Sequence, residues 1–403
     1  MSMLSIGLSG LQSTQSALEV TSNNIANAST SGFKEVTTQF ASVYSGGQRG
    51  GVSVADLNEN FNVAGELVST GSALDVAISG NGFYVVDEGA GQLAYTQAGQ
   101  FELDANLNIV NAFGNQLQGY SVDENGNVIT GVLDGLSLNS SNIPADPTDE
   151  VAFALNVDSS SPEITIAFDP TDGGSYNYSQ STQVYDSLGN SHTLTQYYVH
   201  SGTNTWDVHY YFNGGALGAT ETLNFNPDGS LNTAVPGVVP PINITIPAAT
   251  VDTGANDINL SIDMTDTTQF GSGFSLYRND ADGYTAGEFA GISIEKDGSV
   301  LATFTNGETL LQGQIVLATF ANLNGLENAN NTSWYATAES GDALYGTPEE
   351  GNFGELLAGA YVGSNVNISE QLVDLLAFQQ SYQANARTVS SADEMMQVLF
   401  NAV

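Results

Sequence analysis

The chain has 403 residues and a formal net charge of −39 at pH 7, because 44 acidic side chains stand against five basic ones, and it contains no cysteine. The absence of cysteine excludes disulfides, zinc–thiolate sites and thiol catalysis. The charge argues against nucleic acid and anionic membrane surfaces as partners. No membrane insertion is predicted, because no stretch of about 18 apolar residues occurs. Residues 1–12 also lack the basic region of a cleaved signal peptide.

The charge is distributed unevenly along the chain. Residues 1–70 and 363–403 together carry nine acidic and three basic side chains, which leaves 35 acidic and two basic ones, a net charge of −33, in residues 71–362. Weakly charged ends can pack closely against copies of themselves. A strongly acidic middle is better placed on an outer, solvated face.

The first predicted element is an N-terminal helix with apolar residues at alternating steps of four and three, a coiled-coil spacing. We expect it to end around residues 23–27, because Asn tolerates the left-handed conformation that closes helices. Residues 33–51 are then polar and rich in Gly, which predicts a loop or extended linker rather than a core.

The middle of the chain predicts β structure, because short apolar runs are bounded by Gly, Asn, Asp and Pro. Strands are expected at residues 74–78, 83–86, 94–96, 100–103, 109–113, 116–122 and 128–133. After a Pro-Asp-rich joint at 142–150, further strands at 151–157, 164–168, 181–185, 193–199, 206–212, 242–246 and 257–264 predict a sandwich or barrel. The strands at 289–294, 300–305 and 314–320 should pair with those near residue 80.

The last predicted element is a helix of about 50 Å that follows Gly363. Asn367 can cap its start, with Glu370 completing a capping box. Its apolar seam needs a partner, and the N-terminal helix has the same spacing. The two helices are either core helices of one globular domain or an assembly device, and their place at opposite termini favours assembly. The predicted polymerisation interface comprises Leu4, Leu8, Leu11, Leu18, Ile25, Leu372, Leu375, Tyr382, Ala386, Val389, Met396 and Phe400.

The fold class is therefore predicted to be mainly β with terminal α-helical coiled-coil segments and nested domains. Residues 1–70 and 363–403 form a discontinuous helical core, residues 71–145 and 285–362 an inner β domain, and residues 146–284 an inserted outer β-barrel or sandwich domain. We predict no catalytic, cofactor-binding or metal residues. The three histidines, His192, His200 and His209, lack metal-ligand spacing, and the Asp280–Gly283 stretch departs from a calcium-binding loop. The chain is predicted not to be an enzyme.

Motifs at both ends resemble the bacterial flagellar rod and hook protein family. The N-terminal motif residues are Asn23, Asn24, Ile25, Ala26, Asn27, Gly32, Phe33 and Lys34. Residues 364–373 and 381–388 are similar to the C-terminal signature of the family, and residues 82–86, 95–101, 118–120 and 320–322 to its inner β domain. Residues 183–192 are similar to the outer domain of the hook members.

The resemblance implies a hook subunit, which self-assembles into a flexible tube joining rod to filament. It also implies export through the flagellar type III apparatus without a cleaved signal peptide, an extracellular location attached to the basal body, and contacts with the distal rod, hook cap and hook–filament junction proteins. A distal rod or other axial protein is the alternative within the family. A secreted acidic β-rich surface protein would explain the acidic middle but not the terminal seams.

Overall fold

The computed structural model describes residues 3–45, 48–89, 91–123, 126–233 and 241–402. The chain divides into two compact units: unit 1 comprises residues 1–140, 290–303 and 309–403, and unit 2 comprises residues 141–289 and 304–308. None of the helices in the described ranges combines the length and the hydropathy of a membrane span.

The described elements follow one another in this order. The N-terminal third contains α1 (Met3–Ala26), β1 (Val36–Ser45), β2 (Gln48–Glu59), β3 (Leu67–Ser69), β4 (Val76–Ser79), β5 (Phe83–Asp87), β6 (Leu93–Thr96), β7 (Phe101–Leu103), β8 (Ile109–Asn111), β9 (Gln116–Ser121) and β10 (Asp134–Gly135). The middle contains β11 (Glu150–Asp158), β12 (Tyr178–Tyr185), β13 (Ser191–Gly202), β14 (Thr205–Phe212), β15 (Gly215–Asn224), β16 (Ile242–Ile246), α2 (Ala248–Val251), β17 (Ile258–Asp263), β18 (Thr268–Phe270) and β19 (Ser275–Ala281).

The remainder contains β20 (Phe289–Ile294), β21 (Ser299–Phe304), β22 (Thr309–Ile315), β23 (Leu317–Thr319), a 3-10 turn (Leu323–Gly325), β24 (Glu327–Asn328), β25 (Ser333–Tyr335), β26 (Leu344–Gly346), β27 (Glu355–Ala358), β28 (Ala360–Val362) and α3 (Ile368–Ala402). Strands dominate between two terminal helices. The predicted fold class, mainly β with terminal helices, is thus confirmed.

Both terminal helices begin or end where the sequence predicts. The α1 helix ends at Ala26, and the next amide, that of Asn27, still donates to the Asn23 carbonyl at 3.0 Å. The α3 helix begins at Ile368, where the Asn367 side chain accepts a hydrogen bond from the Ser369 amide at 3.1 Å and so caps the first turn. With 35 residues, α3 is about 50 Å long.

The predicted linker at residues 33–51 is wrong in its conformation. Residues 36–45 and 48–59 form the long antiparallel strand pair β1–β2, called here the hairpin, in which Val36 pairs with Glu59. Two register shifts interrupt the ladder, after Gln39 and after Val43. The hydrophobicity pattern missed these strands, because they contain many glycine and polar residues and most side chains of β1 remain exposed.

The β structure of unit 1 is built on one extended sheet with the strand order β20-β21-β22-β9-β5-β6-β25-β24. The predicted pairing with strands near residue 80 is confirmed for residues 314–320, since Leu317 of β23 lies opposite Tyr84 of β5. It is wrong for residues 289–294 and 300–305, because β20 and β21 lie in the same sheet but are separated from β5 by β22 and β9. Tyr84 and Val86 face one apolar cluster and Phe83 and Val85 another, so β5 is buried on both faces. Continuous apolar sequence is typical of such a central strand. Two smaller pairs, β27–β4 and β28–β3, connect it to the segment that precedes α3.

Unit 2 is a sandwich. A sheet of β16-β17-β11-β18, with β19 added along β11, and an antiparallel sheet of β12-β13-β14-β15 share one apolar core. Alternate residues of β14 are buried, and Trp206, Tyr210 and Phe212 contribute the largest side chains. The period of two therefore predicted this strand correctly.

Two predicted strands do not form. Residues 164–168 lie between Pro162 and Pro170 and run beside the sheet, with one backbone bond from Ile164 to His200 at 2.9 Å, and Phe168 stacks on His209 with ring centroids 4.1 Å apart. Residues 128–133 form only an isolated bridge between Val128 and Val122. Packing contacts, rather than pairing along a neighbouring strand, hold both stretches in place. The predicted three-domain division stays a prediction.

Candidate functional site

The two terminal helices pack against each other through small side chains. The buried face of α1, called here the small-residue face, repeats at alternating steps of three and four and consists of Gly7, Gly10, Thr14, Ala17, Thr21 and Asn24. An added Cβ at Gly7 would lie 2.8 Å from a methyl carbon of Val389, and one at Gly10 would lie 2.8 Å from the Asn385 side chain. Glycine therefore allows α3 to approach the α1 backbone closely.

The N-terminal helix is the partner of α3, as the sequence predicts, but the two apolar seams are not the main contact between them. Leu8 is 49% exposed and Leu372 is 47% exposed, and Leu4, Tyr382 and Met396 are exposed as well. Leu11, Leu18, Ile25, Leu375, Ala386 and Val389 are half-buried. The predicted residue Phe400 lies in α3, but its side chain is outside the described part. Five of the twelve seam residues are therefore exposed and six are half-buried, and of the latter Val389 contacts α1 at Gly7.

Further apolar side chains that the heptad pattern missed are exposed on the same helices. They are Ile6 on α1 and Val373, Leu376, Met395 and Val398 on α3. Together with Leu4, Leu8, Leu372, Tyr382 and Met396 they form what we call the outer apolar surface. A plain count of apolar residues outside the seam would have indicated that each helix has more apolar surface than one partner can cover.

The hairpin of β1 and β2 lies against both helices. Ser13 donates to the Val52 carbonyl at 3.2 Å, and the Val52 amide donates to the Ser9 hydroxyl at 3.3 Å. Gly51 has φ +120°, and an added Cβ would lie 2.1 Å from that hydroxyl, so only glycine fits there. Phe40 of the hairpin approaches Phe378 of α3 edge to face, with centroids 6.5 Å apart. The hairpin therefore belongs to the same structural block as the helix pair.

Polar side chains from distant parts of the sequence meet at the end of α1 and the start of α3. Asn24, 1% exposed, donates to the Val36 carbonyl at 2.8 Å and to the Gln371 carboxamide at 3.0 Å, and it accepts from the Val36 amide at 3.0 Å. Gln371 in turn donates to the Glu35 carboxylate at 2.7 Å. We call Asn24, Glu35 and Gln371 the polar latch. Burial, and then the charges of Glu370 and Asp374, raise the pKa of Glu35.

The other motif residues have local or positioning contacts. The Asn27 carboxamide donates to the Asn23 carbonyl at 3.0 Å. Gly32 has φ +71°, and its amide donates to the Val362 carbonyl at 3.0 Å. The Phe33 carbonyl accepts from the Asn365 amide at 3.3 Å. Ile25 is half-buried and Ala26 is exposed. Lys34 is buried, with 3% exposure. The motif therefore fixes how the chain leaves α1 and meets the start of α3.

The histidines of unit 2 have structural contacts. His192 lies 3.0 Å from the buried Asp186 carboxylate and 2.9 Å from the Asn213 carboxamide, His200 lies 2.8 Å from the Ser161 carbonyl, and His209 lies 3.0 Å from the Thr220 hydroxyl. No group of three potential metal ligands occurs within the described ranges. Asp282, in the stretch weighed as a calcium loop, accepts from the Asp149 and Glu150 amides at 3.0 Å each.

Comparison with known families places flagellar domains along most of the chain. Residues 4–34 match the model described as flagella basal body rod protein, and residues 358–402 match the flagellar basal body rod FlgEFG protein C-terminal model. Residues 77–169 match the flagellar hook protein FlgE/F/G D1 domain, and residues 155–284 match the flagellar basal body protein FlaE D2 domain.

Comparison with curated proteins decides the family. The flagellar hook protein FlgE of Escherichia coli is 37% identical over 403 residues, with 98% of each chain covered. The chain belongs to the flagellar hook protein FlgE family. FlgE of Rhizobium meliloti is 31% identical, with 98% of this chain and 97% of that protein covered, and FlgE of Borreliella burgdorferi is 31% identical with the same coverage. This membership makes the chain a structural subunit of the flagellar hook.

The fold agrees with a solved hook protein. The crystal structure of Helicobacter pylori FlgE2 matches with a TM-score of 0.54 over 72% of this chain and 98% of that chain, at 14% identity. At that identity the match supports the FlgE fold alone. The residues of the helix pair, the outer apolar surface and the polar latch are therefore argued from this chain's own geometry.

Proposed function

We propose that this hook subunit polymerises through the outer apolar surface of its terminal helix pair. The supporting observation is that α3 approaches α1 at Gly7, Gly10 and Thr14, whereas the side chains of the outer apolar surface remain exposed. A patch of this kind in a soluble subunit is typical of an interaction surface. Burying one half-exposed leucine between copies contributes about 1 kcal/mol, so several such residues together favour association.

The proposed interface combines the outer apolar surface, which contains the predicted residues Leu4, Leu8, Leu372, Tyr382 and Met396, with the other predicted residues, Leu11, Leu18, Ile25, Leu375, Ala386, Val389 and Phe400. In the tube, residues 1–70 and 363–403 form the inner core, residues 71–145 and 285–362 a middle layer, and residues 146–284 the outside. The net charge of −33 in residues 71–362 supports placing both β layers outside the helical core, because charge is best solvated away from the centre of the tube.

The proposed partners are other copies of the chain, the distal rod protein, the hook cap protein, the hook–filament junction protein and the type III export apparatus. The proposed location is the extracellular hook, attached to the basal body. A tube of this kind transmits torque and bends. We assign it no catalysis and no cofactor.

The test replaces one exposed leucine of α3. Leu372→Glu adds a charge to a side chain that is 47% exposed in the single chain, so the monomer should melt like the parent. Burying that charge between copies is unfavourable by several kcal/mol, so the critical concentration for tube formation should rise at least about a hundredfold. Sedimentation of tubes and electron microscopy measure it.

The matched control is Leu188→Glu, because Leu188 is 59% exposed and lies in unit 2, outside the terminal helices. This variant should form tubes as the parent does. Leu372→Glu tubes that form at the parental critical concentration would refute the proposed interface.

A further inference from the structure

Lys34 is a buried cation that forms no ion pair with any carboxylate in the described part of its own chain. It lies eight residues beyond Ala26, the last residue of α1. Its exposure is 3%, and its ammonium donates one long hydrogen bond, 3.4 Å, to the Val63 carbonyl. Within the described ranges no acidic side chain lies within ion-pair distance of it. The described ion pairs of Lys and Arg are instead Lys296 with Glu355 and Arg278 with Asp280, both at the surface.

This ammonium lines a pocket of unit 1 with a volume of about 200 Å³. The buried side chains of Ile78 and Val362 lie at the closed side with Lys34, whereas Asn62 and Asn81 lie at the exposed rim. Gln97 also lines it. A pocket with a cation at its base and carboxamide N–H groups at its mouth is complementary to an anion.

The charge state of Lys34 fits this geometry. Burial lowers the pKa of Lys34 to about 8, so at neutral pH the side chain is mostly charged. No other titratable side chain lines the pocket from the segments 61–64, 78–81, 97 or 362. The carboxylate of the adjacent Glu35 accepts instead from Gln371 of α3. An unpaired buried charge is destabilising, so an anion that entered the pocket would bind favourably.

We propose that this pocket receives a carboxylate side chain of a second copy of the chain, which pairs with Lys34 when subunits assemble. The proposal rests on the self-assembly proposed above. Charge complementarity favours this occupant, because each copy carries 44 acidic and five basic side chains. In a hook the surfaces beside each subunit are those of other copies. Each bound carboxylate then compensates one buried ammonium and ties two subunits together.

The first test measures tube formation against pH. In the parent, the critical concentration should rise about tenfold between about pH 7 and about pH 9.5, because Lys34 loses its proton and the pair loses its attraction. Lys34→Met should show the high value already at pH 7 and little change with pH. Its monomer should melt at the parental temperature or above, because methionine removes a buried charge.

Lys296→Met is the matched control, since Lys296 is exposed and already paired with Glu355 of its own chain. It should keep the parental critical concentration and pH dependence. Lys34→Met tubes with parental behaviour would refute the proposal. A Lys34→Met monomer that melts well below the parent would assign Lys34 an intrachain structural role instead.

The second test identifies the occupant. Tubes assembled from equal amounts of ¹⁵N-labelled and unlabelled chains are treated with a carbodiimide, which joins an amine to a contacting carboxylate as an amide, and are mapped by mass spectrometry. Lys34 should be joined to an acidic peptide of the other isotope. A Lys34 link within one chain would overturn the proposal. So would an unlinked Lys34 whose pH dependence disappears when inorganic phosphate is added, which would assign a free anion to the pocket.

These outcomes are separable from those of the assembly proposal. Leu372→Glu tests whether the helix pair drives assembly at all, and Lys34→Met tests one contact within it. Failure of the second leaves the first unchanged.

Discussion

Asp186 is the residue on which the 183–192 motif depends. Its carboxylate is fully buried and pairs with His192. It also accepts hydrogen bonds from the Thr253 hydroxyl at 2.7 Å and from the Leu188 and Asn190 amides at 2.9 Å each. Burial alone would raise the pKa of Asp186, but the hydrogen bonds from His192, Thr253 and Asn190 outweigh it and hold the pKa well below its usual value. One side chain therefore fixes a turn, a strand and a distant loop of unit 2.

The depressed pKa predicts acid sensitivity of unit 2. Because the folded state favours the charged form, the stabilisation from Asp186 is complete above the ordinary pKa of about 4 and is lost as the pH falls below it. Asp186→Asn should lower the free energy of unfolding at neutral pH by about 2 kcal/mol and flatten its acid dependence. Near-ultraviolet circular dichroism of the full chain against denaturant measures both. Asp266→Asn, at an exposed position of unit 2, should change neither, and equal effects of the two variants would contradict the assignment.

The polar latch gives a second prediction at this scale. Asn24→Ala removes three hydrogen bonds and leaves the buried carboxamide of Gln371 without one partner, so unit 1 should lose about 2 kcal/mol of stability. Hydrogen exchange at the Val36 amide should accelerate as well. Asn23→Ala is the control, because Asn23 is exposed and bonds only to Asn27. Parental exchange at Val36 in Asn24→Ala would show that the latch does not hold the helix end.

At the scale of elements, the sequence predicts both terminal helices and their ends but not the face by which they meet. A heptad pattern registers large apolar residues, and α1 carries two stripes with that spacing, one of leucines and one of small residues. Gly7 and Gly10 allow the closer approach and so determine which stripe faces α3. The leucines could be assigned to the outside only once this backbone contact was known.

The small-residue face predicts that bulk at Gly7 separates the helices. Gly7→Leu would place a side chain where a Cβ alone lies 2.8 Å from Val389, and overpacking of this kind costs about 1–3 kcal/mol. The distance between spin labels on the exposed residues Gln12 and Gln383 should lengthen. Leu8→Met serves as control, because its side chain points outward and should leave that distance unchanged. An unaltered distance in Gly7→Leu would mean that the glycine is not required for close packing.

The hairpin shows a different limit of prediction at this scale. Strands β1 and β2 carry many polar residues and two bulges, so neither alternation nor composition separates them from a linker. Their register is fixed by contacts with α1, such as the Ser13 bond to Val52, between residues 39 positions apart. Burial of alternate residues in β14, by contrast, is a local signal, and there the sequence predicted the strand.

At the scale of the whole molecule, charge opposes assembly. With a net charge of −33 in residues 71–362, neighbouring copies repel until salt screens them. Raising sodium chloride from about 20 mM to about 500 mM shortens the Debye length from about 20 Å to about 4 Å, and the critical concentration should fall several-fold. Sucrose at the same osmolality should not reproduce the effect. A critical concentration that does not change over this range of salt would show that charge repulsion between copies does not limit tube formation.

The pairing of β3 with β28 also sets an order of folding. Asn24 and Gln371 are 347 residues apart, so closing their contact in an unfolded chain costs about 5 kcal/mol of loop entropy. Once β3 and β28 have paired, the Gly363 amide donates to the Glu66 carbonyl at 2.8 Å, and a much shorter loop remains to be closed. The helix pair should therefore form last, starting at the latch. A subunit still emerging, or truncated at either end, cannot complete the pair, so the contact between its termini acts as a checkpoint for the completeness of the chain.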